Sequence, residues 1–190
     1  MTRWESFYVI IGSSGAALIG IQFIVVTLIA SMRRRPPLES VGAFATPTVV
    51  HFTGALLIAA IMSAPWRSLL SVSLALVACG AGGLVYTAVV IRREWRQTYY
   101  KPVWQDWMWY AVLPCVVYGL LAVAALFLRT RTADTLFLIG AGALGLLCIG
   151  IHNAWDGITH LAIGLHDDAE ADADAAVARD TPADQHLDSM

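Results

Sequence analysis

Five long apolar runs alternate with short clusters of charge, proline and aromatic residues along this chain. They cover about residues 7–31, 47–64, 69–91, 107–128 and 135–160. A hydrocarbon core of about 30 Å is crossed by roughly 20 helical residues. Inside lipid, every backbone polar group must be paired within the protein, which a helix does by itself. The pattern therefore predicts an all-α, polytopic integral membrane protein with five transmembrane helices.

The first run, Phe7 to Ser31, carries no charge and is followed at once by Arg33, Arg34 and Arg35. It is too long for the apolar core of a cleaved signal peptide. Gly12, Ala16 and Gly20 recur every four residues, a small-residue stripe that fits close helix packing or a plain lipid-facing surface. Pro36 and Pro37 break the chain. Thr46 and Pro47 then read as an N-cap and a proline at the first helical position, which starts the second span at Pro47. Ala55, Ala59 and Ser63 form a second small stripe, and Pro65 with Trp66 ends that helix. In the third span the Cys79-Gly80-Ala81-Gly82-Gly83 patch is a poor helix former in water, yet a helix survives in lipid. Its glycines let a neighbouring helix approach, or else mark a break that lines a cavity. Pro114 predicts a kink in the fourth span.

Composition sharpens this picture. The chain is 58% hydrophobic and 14% charged, where soluble domains carry about a quarter charged residues. A net charge of −2 gives no support for a nucleic-acid partner. Between Arg92 and Asp106 lies a polar connector, with Trp95, Tyr99, Tyr100, Trp104, Trp107, Trp109 and Tyr110 in and just after it. Trp and Tyr gather at headgroup level, where the ring meets lipid and the N–H or O–H meets water. The connector is expected to lie on the membrane surface. A basic, aromatic stretch also suits single-stranded nucleic acid, but the flanking spans hold this one against lipid. Cys79, Cys115 and Cys148 sit in apolar runs without metal or redox spacing and read as packing residues. Residues 166–190 are acidic and alanine-rich, and they lack aromatics. They are expected to form a disordered cytoplasmic tail whose first residues can extend the last helix. Lys and Arg count eight on the side of the loops after spans one and three and of the tail, against four on the other. The positive-inside rule then places the N-terminus outside and the C-terminus in the cytoplasm of a cell membrane, here read as bacterial.

The chemistry concentrates in Gly150 to Leu165, which carries His152, Asn153, Asp156 and His160. At about 100° per residue, His152, Asp156 and His160 share one helix face. His51 is the other histidine inside an apolar run. Counted from the proposed topology, His51 and His152 fall near the same membrane boundary, and they meet if spans two and five are neighbours.

Four readings follow. The residues can serve packing alone, through hydrogen bonds to neighbouring helices. His51, His152, Asp156 and His160 supply ligands for a zinc or iron ion, with Asp156 the candidate catalytic group and an open position for water. His152 and His160 lie about 12 Å apart along the axis, so one ion does not take both. His51 and His152 are also a candidate axial pair for b-type haem. Finally, Asp156 and the histidines can relay protons or ions. No phosphate-binding loop, dinucleotide fingerprint or nucleophile elbow is present. The expected class is a structural or interaction subunit of the membrane, with a membrane-protein partner or as a homo-oligomer. A metal-dependent membrane enzyme or b-haem protein is its rival, and whether the chain is an enzyme stays open.

Overall fold

The computed structural model describes residues 2–31, 38–96 and 104–180, with side chains placed for 4–31, 45–93, 104 and 107–159. The Arg33–Arg35 cluster, Pro36 and Pro37, residues 97–103 of the aromatic connector and the tail beyond Asp180 lie outside the described residues. The described residues form helices: α1 (Thr2–Ser31), α2 (Leu38–Ser63), α3 (Leu69–Arg96), α4 (Trp104–Trp107), a π-helical turn (Met108–Val112), α5 (Leu113–Phe127) and α6 (Thr132–Asp180). Five segments are long and apolar enough to cross a membrane: Trp4–Ser31, Ala45–Ser63, Leu69–Arg93, Met108–Phe127 and Thr132–Thr159. The chain is thus an all-α, multi-pass membrane protein. It divides into two compact units, Met1–Ala154 and Trp155–Met190.

One helix boundary differs from the one the sequence suggests. Helix α2 starts at Leu38, and Pro47 lies inside it, not at its first turn. Proline costs a helix one hydrogen bond. Ending the helix there would leave a whole turn of unpaired backbone groups near the lipid, so continuing through the proline is the cheaper solution. Pro114 is where the sequence predicts a kink. It stands at the start of α5, directly after the π-helical turn, in which the Leu113 N–H donates to the Met108 carbonyl five residues back. A wider turn re-routes the backbone bonds where a proline cannot donate. At the C-terminus the backbone of the last helix runs on to Asp180.

In the first unit, packing follows the glycines. Helices α1 and α2 pack closely, as do α3 and α5. A Cβ built on Gly12 would lie 3.3 Å from the Ala59 Cβ, and one on Gly15 would lie 3.3 Å from the Phe52 carbonyl. The contact stripe of α1 is therefore Gly12 with Gly15. The spaced-by-four set of Gly12, Ala16 and Gly20 does not serve, because Ala16 is exposed and Gly20 has nothing within 4 Å of its Cβ position. In α3, a Cβ on Gly80 would approach the Tyr118 carbonyl and the Ala122 nitrogen to 2.9 Å, and one on Gly83 would enter the Tyr118 ring. The glycine patch thus seats α5, and α3 runs through it unbroken. Ser73 Oγ donates to the Ala125 carbonyl at 2.5 Å, a hydrogen bond that ties α3 to α5.

Helix α6 reaches α1, α2 and α5 through side chains. Trp4 packs edge-on against Phe137 at 4.9 Å and over Gly140, and Val117 packs over Gly145. Leu146 approaches Gly54, and the Phe52 ring covers Gly150. Spans two and five are therefore neighbours, the condition under which His51 and His152 reach one level.

Candidate functional site

The register of α2 against α6 locates the polar residues. Gly54 meets Leu146 and Phe52 meets Gly150, so α2 and α6 run antiparallel, and His152 and Asn153 sit at the end of the bundle where α2 carries Thr48 and His51. Tyr86 of α3 and Tyr118 of α5 join the same layer, because both rings lie beside His51, at 6.4 and 5.9 Å between centroids.

His51 is 1% exposed. Its Nδ1 lies 3.2 Å from the Tyr118 hydroxyl and shares a hydrogen bond with it. Tyr118 is held by two glycines. Its ring lies where a Gly83 side chain would be, and its hydroxyl is 2.9 Å from the Gly54 Cβ position. Three helices therefore fix one polar pair: α2 supplies the imidazole and a glycine, α3 a glycine, and α5 the phenol. A buried histidine whose nitrogen is paired in this way avoids the cost of an unmade bond in a low-dielectric medium.

His152 has different company. Its ring stacks on Trp109 of the π-helical turn, 3.8 Å between centroids and 7° between planes. Its Nδ1 is buried without a hydrogen-bond partner. Asn153 is fully buried, and neither its Nδ2 nor its Oδ1 has a partner. The Tyr86 hydroxyl is also buried and unpartnered.

The structure thus brings His51 and His152 to one level and gives them separate contacts. Asp156 belongs to the second unit, and the side chain of His160 lies outside the described residues. Among the described residues, no group of three or more His, Cys, Asp and Glu side chains is placed to hold a metal ion. The Tyr118 hydroxyl and the Trp109 ring, which engage the two histidines, are absent from the site expected from sequence. Tyr118 had a readable signal, a hydroxyl in the middle of an apolar run. Trp109 had none, since its place beside a polar connector matches a headgroup-level aromatic equally well.

Compared with known proteins, the chain matches no family model, no curated protein and no solved structure.

Proposed function

We propose that this protein is a structural or interaction subunit of a membrane assembly, working through its helix surfaces with a membrane-protein partner or a second copy of itself. The observation that carries this reading is the use made of the histidines. Ionisable residues inside a span are functional hypotheses by default. Here His51 is joined to Tyr118 across α2 and α5, and His152 is stacked on Trp109. Both contacts hold helices together. The distribution of Lys and Arg supports an outside N-terminus and a cytoplasmic C-terminus in a bacterial cell membrane. In that orientation the polar layer lies toward the cytoplasm.

The test is mass measurement of the full chain extracted in mild detergent, by light scattering and native mass spectrometry. A homo-oligomer, or a stoichiometric second protein, is the expected result. A monomer without a partner, across detergents and in nanodiscs, would sink the reading.

A second reading keeps His51, His152, Asp156 and His160 as ligands of zinc or iron, or His51 and His152 as axial ligands of b-type haem. Its support is the His152 Nδ1, buried and unpartnered. The fit is partial, because His51 Nδ1 already faces the Tyr118 hydroxyl and only its other ring nitrogen remains for a ligand. Visible absorption and elemental analysis decide it. A Soret band, or near-stoichiometric metal, that disappears in His152→Ala would establish this reading, and a folded wild type that takes up neither would end it.

A further inference from the structure

We propose that the polar layer at the His51 end of the bundle is a buried water site, with the Asn153 amide as its main ligand. Asn153 offers two N–H donors and an acceptor oxygen with two lone pairs. It is fully buried, and the protein gives neither atom a partner. An amide left unpaired in an apolar interior carries a desolvation cost, and nearly all such groups in proteins find a partner, often an ordered water. One orphan could be a local defect. Here there are three side chains: Tyr86 Oη on α3, and His152 Nδ1 and the Asn153 amide on α6. The Tyr86 ring lies beside His51, and Gly150, one turn before Asn153, is covered by Phe52, the residue that follows His51.

The ligand is uncharged. The buried polar side chains among the described residues are Gln22, Thr48, His51, Ser73, Thr87, Thr135 and Asn153, with no Asp, Glu, Lys or Arg among them to balance an ion. The ligand is also small, because rings fill the space around the layer. Phe52 stands 2.5 Å from the Gly150 Cβ position, and Tyr118 fills that of Gly83 and stands 2.9 Å from that of Gly54. A neutral molecule of one heavy atom that both donates and accepts is water, which takes two to four polar partners in a buried site.

Radiolytic hydroxyl-radical labelling tests this, because radicals formed from a bound water oxidise its neighbours even where bulk solvent is excluded. The full chain in lipid nanodiscs is irradiated in oxygen-18 water and label is read residue by residue. After correction for intrinsic reactivity, Phe52, as hidden from solvent as Ile58 and Leu76, is expected to label several-fold faster than those two, as a residue beside bound water. In Asn153→Leu its rate falls to the level of those two. A wild-type rate at Phe52 no higher than at Ile58 and Leu76 would overturn the proposal, whether or not the variant folds. So would an Asn153→Leu protein that folds and keeps the fast labelling.

Discussion

His51 and Asn153 are equally hidden from solvent, lie at the same end of one bundle, and stand in opposite hydrogen-bonding situations. His51 has the Tyr118 hydroxyl at 3.2 Å. Asn153 has no protein partner at either polar atom. The difference begins with the glycines. Gly54 and Gly83 make room for a tyrosine that reaches His51. On the α6 side, Gly150 makes room for Phe52 instead, which fills space and offers no hydrogen bond. A glycine in a membrane helix thus decides which side chain its neighbour receives. Whether that side chain carries a polar atom decides whether the buried group beside it is paired.

The sharpest way to break this comparison is to remove the room. Gly83→Leu drives a side chain into the Tyr118 ring and takes the partner away from His51. The expected cost is about 4 kcal/mol or more, the range of severe overpacking, seen as loss of a monodisperse peak in detergent. Gly82→Ala, one residue earlier with nothing within 4 Å of its Cβ position, stays within about 0.5 kcal/mol of wild type. Similar losses at the two positions would mean that the glycine patch matters for backbone flexibility, not for seating Tyr118.

Next comes the hydrogen bond. Tyr118→Phe keeps the ring and leaves His51 Nδ1 without its partner, at an expected cost of about 1–3 kcal/mol in equilibrium unfolding from mixed micelles. A double-mutant cycle with His51→Phe should return a coupling of about 0.6 kcal/mol, with a ceiling near 1.7. A coupling of zero would show that the two residues only share space.

The smallest effect is the stack. Trp109→Leu removes the aromatic face under His152 and should cost about 0.5–1.5 kcal/mol beyond lost apolar area. A cycle with His152→Leu separates that pairing term from burial. If Trp109→Leu costs more than Tyr118→Phe even after that correction, His152 is the better anchored histidine and the comparison reverses.

Much of the fold was readable in the residues. The five apolar runs map onto the five spanning segments, and the third span matches to within two residues at its end, Ile91 against Arg93. The role of Gly80 and Gly83 as an approach for a neighbouring helix was also legible, since small residues in lipid-embedded helices have few other uses. The stripe on α1 was not. Gly12 pairs with Gly15, three residues on, and one-dimensional spacing cannot tell three from four when both lie on nearly the same face. Pro47 misled for a physical reason: a rule drawn from water-exposed helices, where a broken turn is satisfied by solvent, fails where solvent is scarce.

For the candidate site, spacing placed His51 and His152 at one depth, because rise per residue is fixed in a helix. Depth is a one-dimensional property, and so sequence determined it along with the number of spans and the all-α class. Azimuth is not. Which face of α5 turns toward His51, and that Trp109 comes to lie flat on His152, depend on how each helix rotates about its own axis. That rotation is set by the fit of glycines against rings on other helices, between residues far apart in the chain. Only the tertiary structure could therefore decide that His51 is paired, that His152 is stacked, and that Asn153 is enclosed with its amide unspent.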